Sequence, residues 1–363
     1  MVVSGGRCVF KKLFLRVTLF RTMITLSSPH ADVPLFRRSI FTYLLGTTPD
    51  APHLVGGFPA SSPAFVDAAT ATVLTRAALR SYALQFAYSL HNLPAPLAHK
   101  PKPKPTAPPT VLIFSPNNIV WPILLHGVAA AGFRATLANS AYTSAELAHQ
   151  YVDAGAHLIF AHPTLVPVVL DTLKSIGCTE SEIRSRLVLV TSHCLTGVPD
   201  PTSADFAHLV QLDTFFGRGA LPNEVSFDGE RSNETLYLCY SSGTTGKPKG
   251  VETTHHNIVS LIEILKPAWP TPTPCLEPSL PGDTKGPRPD VFFGSLPYYH
   301  IYGAIKLLLF PVSLCTPVVV MGGFDPVQFC QAVERYRATI LLVVPPMLVV
   351  LARHEGTSLS FQS

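Results

Sequence analysis

The chain has 363 residues, which allows one large domain or, at roughly 150 residues each, about two. Its composition is 47% hydrophobic and 14% charged, with 35 prolines, and this excludes both a disordered chain and a coiled coil. The formal net charge is only +4, and because no basic stripe carries interleaved aromatic residues, nucleic acid is not an expected partner.

The two ends of the chain differ in composition from the rest. Residues 1–22 are basic and apolar, with no acidic side chain before Asp32, which fits either a mitochondrial presequence or an extension ahead of a second start at Met23. We favour the second interpretation and predict a basic, disordered extension over residues 1–30 and a polar tail over residues 355–363. The cysteines are scattered without a C-x-x-C pair, which indicates reduced thiols, no metal site and an intracellular, cytoplasmic protein. A mitochondrial or peroxisomal location stays open.

Strand and helix patterns alternate from residue 111 onward. Short apolar runs predict strands over residues 111–114, 135–138, 157–161, 187–191, 236–240, 291–296, 317–321 and 339–344. Helices are predicted over residues 119–131, 143–154, 163–176 and 325–337, and from a cap at Thr254. The second of these helices opens with a capping box, Thr143 with Glu146. Continuous apolar strands that alternate with helices are typical of a doubly wound α/β fold.

Proline interrupts both the polar and the apolar parts of the chain. Two proline-rich stretches, residues 100–109 and 267–290, are predicted to be surface loops. Two apolar stretches, residues 307–321 and 340–352, each contain two prolines. Both fall short of the roughly 18 uninterrupted apolar residues that a membrane span needs, so we expect buried strands and helices and no transmembrane segment.

The most informative segment is YSSGTTGKPKGV, residues 240–251, between a predicted strand and a predicted helix. Its glycines leave backbone N–H groups open to an anion, its hydroxyls can donate to phosphate oxygens, and Lys249 or Lys247 supplies positive charge. The pattern is not a Walker A loop, because two residues rather than four separate its first two glycines. A flexible Gly/Ser linker is the alternative, but it fits poorly between a strand and a helix. The segment therefore predicts a polyphosphate-binding loop.

This segment resembles the phosphate-binding signature of the adenylate-forming superfamily, which includes acyl-CoA synthetases, adenylation domains and luciferases. Further stretches are similar to segments of acyl-CoA synthetases and 4-coumarate–CoA-ligase-like members, namely residues 65–79, 116–160, 296–302 (LPYYHIY) and 324–354. The resemblance covers roughly residues 30–354. It implies the N-terminal domain fold of the superfamily, in which mixed sheets are flanked by helices.

The resemblance implies ATP-dependent activation of a carboxylic acid. The carboxylate attacks the α-phosphate of ATP, giving an acyl-adenylate and pyrophosphate, and coenzyme A then displaces AMP; Mg²⁺ accompanies the nucleotide. Because the substrate is itself the nucleophile, catalysis rests on positioning and on neutralisation of phosphate charge. By resemblance the nucleotide-binding residues are Ser241, Ser242, Gly243, Thr244, Thr245, Gly246 and Lys249. The substrate-binding residues, on the same basis, are His300 and Tyr302.

Several positions depart from the superfamily pattern. Arg76 replaces a usual aromatic residue, and Gly323 stands where many CoA ligases have a lysine. Lys306 occupies a position near the acyl pocket that is often small or polar. The adjacent His255 and His256 match the ordinary helix start that follows the signature, so we interpret them as structural.

No segment after residue 344 matches the Y-G-x-T-E or T-G-D motifs, which in the superfamily contact adenine and Mg²⁺ and hold the ribose. We therefore expect residues 31–354 to form a partial AMP-binding N-terminal domain, truncated and without the C-terminal domain. Cutting the sheet after residues 339–344 is expected to leave a strand edge and apolar surface uncovered. Two hypotheses follow: an acyl-CoA synthetase-like ligase whose activity is impaired in this chain, or a non-catalytic paralogue or fragment that binds nucleotide or a partner.

Overall fold

The structure is a computed structural model that describes residues 31–98, 108–241, 247–276 and 288–354. The predicted extension over residues 1–30 and the predicted tail over residues 355–363 lie outside the described residues. The same holds for most of the proline-rich stretch at 100–109 and for the middle of the stretch at 267–290.

Short strands and helices of both kinds alternate along the described chain. The strands are β1 (Leu54–Val55), β2 (Phe58–Pro59), β3 (Pro63–Asp67), β4 (Val73–Thr75), β5 (Thr110–Phe114), β6 (Arg134–Leu137), β7 (Ala156–Ala161), β8 (Leu187–Leu189), β9 (Val210–Gln211), β10 (Thr235–Ser241), β11 (Lys249–Thr254), β12 (Phe292–Gly294), β13 (Val318–Val320) and β14 (Ile340–Leu341). The helices are α1 (Ile40–Leu45), α2 (Arg76–His91), α3 (Trp121–Ala130), α4 (Ser144–Asp153), α5 (Val166–Ser175), α6 (Glu180–Arg184), α7 (His193–Thr196), α8 (His255–Ala268), α9 (Ile301–Gly303), α10 (Phe310–Ser313), α11 (Pro326–Arg335) and α12 (Pro345–Arg353). Single 3₁₀ turns and a π-helical turn make up the rest, at Pro163–Leu165, Pro201–Phe206, Leu212–Phe215, Gly229–Asn233 and Ala304–Leu309.

Two large mixed sheets carry the fold. The seven-stranded sheet has the order β11-β10-β6-β5-β7-β8-β9, and its neighbours are parallel except for the antiparallel pair β10–β11. The five-stranded sheet has the order β14-β12-β13-β3-β4, parallel except for β3–β4. A small antiparallel pair, β1–β2, stands apart. This arrangement confirms the predicted α/β class with mixed sheets.

Both faces of the seven-stranded sheet are covered, as expected of a largely parallel sheet. Along β5, Val111 and Ile113 belong to one core cluster, and Leu112 and Phe114 belong to the other. The first cluster also takes in α2, α3 and the strands of the five-stranded sheet, so α2 and α3 join the two sheets. Every residue of α3 is buried, because an apolar, Ala-rich helix can pack on all sides.

The strands and helices predicted from residue 111 onward are confirmed, with ends that shift by a few residues. The helix predicted over residues 163–176 begins as a 3₁₀ turn before α5. Helix α8 continues through Pro267 to Ala268, so the predicted loop at 267–290 starts two residues late. The apolar stretch at 307–321 forms short, largely buried elements, as predicted. The stretch at 340–352 also forms a short strand and a helix, but the prediction that it is buried is wrong, because it lies at the edge of the five-stranded sheet and only Met347 of α12 is buried. No described helix is long and apolar enough to cross a bilayer.

The largest difference from the sequence prediction concerns the segment after the glycine-rich loop. The pattern predicted that the loop leads directly into a helix, but strand β11 stands between them and pairs with β10 over its full length. Thr254, which ends β11, then caps α8 as predicted, with its hydroxyl accepting from the Asn257 backbone N–H at 3.0 Å. The loop is therefore the tip of a β-hairpin.

Arg76, noted above as a departure, is a buried tie between three segments. The side chain is at the start of α2, and the residue is only 1% exposed. Its guanidinium donates to the carbonyls of Val55 at 2.9 Å, Val312 at 2.7 Å and Leu44 at 2.7 Å. The guanidinium carbon also lies 5.2 Å from the centre of the Phe58 ring. Burial lowers the pKa of Arg76 to about 10, which leaves it charged at neutral pH.

An apolar surface lies at the β14 end of the five-stranded sheet. Strand β14 pairs with β12 and occupies the sheet edge. Around α12, Val344, Leu348, Val349 and Val350 are 38–53% exposed. The expected strand edge and uncovered apolar surface are therefore present in the described part of the chain.

Candidate functional site

The β10–β11 hairpin holds the ends of the predicted phosphate loop. Ser241 and Lys249 are register partners at the end of its ladder, and both are exposed. The Lys249 side chain forms no ion pair within the described residues. The loop residues between them lie outside the described residues and stay predictions: Ser242, Gly243, Thr244, Thr245 and Gly246.

Gly250 allows the hairpin to close over a tyrosine ring. A Cβ atom at Gly250 would lie 2.9 Å from Cζ of Tyr240, its register partner on β10. Such a distance is too short for a real contact, so a side chain here would displace the ring. The glycine was predicted to open the backbone to an anion; the described contact gives it a packing role.

Helix α4 lies beside this hairpin and is fixed at its start. The predicted capping box is confirmed: the Thr143 hydroxyl accepts from the Glu146 N–H at 3.4 Å, and the Glu146 carboxylate accepts from the Thr143 N–H at 2.8 Å. These bonds to Thr143 lower the pKa of Glu146, so the carboxylate that completes the cap stays ionised. Leu147 and Tyr151 anchor the buried face of α4 in the second core cluster.

His300 and Tyr302 both lie at the start of α9, in the LPYYHIY segment. The His300 ring accepts at Nδ1 from the Tyr302 backbone N–H, 3.2 Å away, so it caps the helix. An imidazole that accepts at Nδ1 carries its proton on Nε2 in the neutral form. His300 is exposed, and Tyr302 is 41% exposed. Both predicted substrate residues thus reach the surface at one turn.

Asn117, which the sequence did not single out, holds this turn in place. Its amide Nδ2 donates to the Leu296 carbonyl at 2.8 Å, and its Oδ1 accepts from the Tyr298 N–H at 2.9 Å. Asn117 follows β5 of the seven-stranded sheet, whereas the turn follows β12 of the five-stranded sheet. One buried amide therefore joins the carboxyl ends of strands from both sheets.

The turn and the hairpin meet at Tyr299. The Cys239 thiol on β10 lies 3.8 Å from the Tyr299 carbonyl. Burial raises the pKa of Tyr299. Burial also raises the pKa of Tyr142, and the nearby Glu146 and then Tyr299 raise it further. Both phenols are half-buried, and both stay protonated at neutral pH.

Lys306 does not present a free charge to this region. Its ammonium lies 4.3 Å from the centre of the Trp269 ring and 4.7 Å from that of Phe310. Such cation–π contacts compensate partly for burial, which lowers the pKa of Lys306. At Gly323, the other departure, a Cβ atom would meet nothing within 4 Å, so the fold does not require glycine there.

The described carboxylates near the hairpin do not fit a Mg²⁺ site. Asp153 accepts from the Tyr240 hydroxyl, and Glu252 accepts from Thr235 at 3.0 Å and lies 3.4 Å from Arg134. Within the ranges that the structure covers, no group of three His, Cys, Asp or Glu side chains could hold a metal ion. We therefore assign no step to Mg²⁺ on these residues.

A cavity of about 350 Å³ lies elsewhere, at the carboxyl ends of β3 and β13. Asp67, Met321, Gln328 and Arg335 are among its lining residues. Of the predicted site residues that the structure describes, Ser241, Lys249, His300 and Tyr302, none is among the lining residues of this cavity.

Comparisons with known proteins agree with the resemblance noted in the sequence. Residues 52–362 match the family of AMP-binding enzymes. The 4-coumarate--CoA ligase-like 3 of Arabidopsis thaliana is 28% identical over 257 residues, which cover 69% of this chain and 41% of that protein. The 4-coumarate--CoA ligase-like 8 of the same plant is 31% identical over 242 residues, covering 66% of this chain and 38% of that protein. The chain thus spans about four-tenths of the length of these relatives.

A solved structure supports the fold. The crystal structure of ATP-bound MatB from Rhodopseudomonas palustris aligns with a TM-score of 0.63 at 18% identity, over 88% of this chain and 51% of that one. At this identity the likeness concerns the fold alone.

Proposed function

Because this chain belongs to the family of AMP-binding enzymes, we propose that it binds the phosphates of ATP at the tip of the β10–β11 hairpin. We further propose that it takes part in activating a carboxylic acid as an acyl-adenylate, with coenzyme A as the acceptor. The hairpin is the observation that carries this proposal: Ser241 and Lys249 are paired and exposed on either side of a loop of glycines and hydroxyls.

The chemistry of such a site is positioning and charge neutralisation. A carboxylate oxygen attacks the α-phosphorus of ATP, the bond from that phosphorus to the bridging oxygen breaks, and pyrophosphate leaves with the electron pair. The Lys249 ammonium would neutralise phosphate charge, and the hydroxyls and amides of the loop would donate to phosphate oxygens. His300 and Tyr302 would contact the acid from the neighbouring turn.

Two lysines of the same hairpin provide a matched test. Lys249 is the proposed phosphate ligand, and Lys247 is exposed and lies outside the proposed site. A charge-assisted hydrogen bond contributes roughly 1.5–3 kcal/mol, so we expect Lys249→Ala to weaken ATP binding by about 10- to 100-fold. Lys247→Ala should change it by less than about 2-fold. Isothermal titration calorimetry with ATP measures the affinity of both variants. Equal losses of ATP affinity in the two variants would refute the assigned role of Lys249.

Carboxylate-dependent exchange of pyrophosphate into ATP separates the two hypotheses about activity. We expect weak exchange, which Lys249→Ala abolishes, when aryl and fatty acids are supplied in turn. ATP binding without any exchange would support the non-catalytic alternative, in which the chain retains only nucleotide binding. Robust exchange would contradict the expected impairment, and absence of ATP binding would refute the proposal as a whole.

A further inference from the structure

One face of α4 contacts the chain on both sides of the hairpin loop, at Tyr240 of β10 and at Pro248 just before β11. On the β10 side, the Tyr240 hydroxyl donates to Asp153 Oδ2 at 2.6 Å. On the β11 side, His149 Nε2 donates to the Pro248 carbonyl at 2.9 Å. The carbonyl can only accept, so this contact fixes the proton of His149 on Nε2.

The two α4 residues are four positions apart, which places them on the same side of the helix. The helix is held independently of the hairpin, by its capping box and by the burial of Leu147 and Tyr151. A helix fixed in this way keeps its position, and it supplies both His149 and Asp153.

The tyrosine ring bridges the hairpin and the helix. His149 and Tyr240 meet edge to face, with ring centres 6.2 Å apart at 87°. The absent side chain of Gly250 leaves the space that the Tyr240 ring occupies. Burial, followed by the hydrogen bond to Asp153, raises the pKa of Tyr240, so its hydroxyl stays protonated and able to donate.

We propose that His149 and Asp153 are positioning residues that hold both ends of the phosphate loop against α4, through Tyr240 on one side and Pro248 on the other. This inference rests on the proposed function, since it gives the fixed ends a role in nucleotide binding. Held in this way, Ser241 and Lys249 are already in place when nucleotide binds, so binding does not have to order them. His149 and Asp153 themselves do not touch the phosphates in this proposal.

Paired substitutions separate positioning from general stability. His149→Leu and Asp153→Ala remove the contacts, whereas His149→Gln keeps an N–H donor and Asp153→Asn keeps an oxygen acceptor. Val152, on the same helix and 61% exposed, supplies the control Val152→Ala. The first readout is amide hydrogen exchange at Ser241 and Lys249 without nucleotide, measured on the full chain.

Each lost contact is a single, partly solvated hydrogen bond. We therefore expect His149→Leu and Asp153→Ala to speed exchange at the hairpin end by about 3- to 10-fold and to weaken ATP binding by a similar factor. The Gln and Asn variants should restore both values, and Val152→Ala should leave both unchanged. The double variant His149→Leu/Asp153→Ala should lose less than the product of the single losses, because both contacts act on one element.

The proposal would be overturned if amide hydrogen exchange at Ser241 and Lys249 were as slow in His149→Leu and Asp153→Ala as in the wild type. It would also be overturned if the Gln and Asn variants lost as much as the Leu and Ala variants. If the wild type binds no ATP, the proposed function fails and the nucleotide role of this inference fails with it, while the exchange readout still decides whether α4 holds the loop ends.

Discussion

Replacing Arg76 by methionine removes the guanidinium while keeping much of the aliphatic side chain. Three buried carbonyls then lose a donor, those of Leu44, Val55 and Val312. An unsatisfied buried acceptor costs roughly 1–3 kcal/mol, but the substitution also ends the desolvation of a buried charge. The cost of three unsatisfied acceptors exceeds the gain from removing the buried charge. We therefore expect the free energy of unfolding to fall by about 3 kcal/mol.

Urea denaturation followed by circular dichroism measures this change, with Arg80→Met as the matched control one turn along α2. Arg80 donates to the Leu45 carbonyl at 3.1 Å and lies 3.6 Å from Glu224, with 13% of its side chain exposed. Its loss should cost less than the loss of Arg76, because Arg80 donates to one backbone carbonyl where Arg76 donates to three. The slope of the urea dependence should be unchanged. Equal destabilisation by the two variants would refute the view that Arg76 ties the three segments together.

Two further predictions concern stability. Gly56 has φ +60°, and a Cβ atom there would lie 1.9 Å from the backbone of α1, whereas at Gly57, with φ +81°, it would meet nothing within 4 Å. In urea titrations Gly56→Ala should therefore cost about 2–4 kcal/mol and Gly57→Ala about 1 kcal/mol, and equal costs would contradict the steric argument. Burial lowers the pKa of His126 from 6.5 to about 4 and that of His255 from 6.5 to about 3. Below neutral pH the unfolded chain therefore binds protons that the folded chain does not. The free energy of unfolding falls as the pH falls. Between pH 6.5 and pH 5 each histidine should account for about 2 kcal/mol, and the double variant His126→Asn/His255→Asn should show a flatter pH dependence of unfolding.

The sequence predicted those strands and helices whose own side chains show an apolar run or a helix cap. Strand β5 is a continuous apolar run because both of its faces are buried, and α4 shows its start through Thr143 and Glu146. Strand β11 was missed because three of its six residues are exposed and only Thr253 is buried, so no apolar face marks it. Its position is set by backbone pairing with β10, which its own side chains do not record.

The residues of the candidate site likewise fall into those that a local sequence pattern identified and those that it missed. The glycine-rich signature identified the hairpin tip, and the LPYYHIY segment identified the turn of His300. Asn117 was missed because an asparagine after a strand is typical of any turn. Its two hydrogen bonds connect residues about 180 positions apart, and such distant partners leave no local pattern.

The pairing of β3 with β13 has a consequence for how the chain is made. Phe65 is the register partner of Val318, so at 5–20 residues per second the ribosome delivers β13 on the order of 10–50 s after β3. During that interval the nascent chain has β4 to pair with, but the opposite edge of β3 and the apolar residues around it have no sheet to join. We expect chaperones to protect this segment until synthesis passes residue 320, when β13 becomes available to pair with β3.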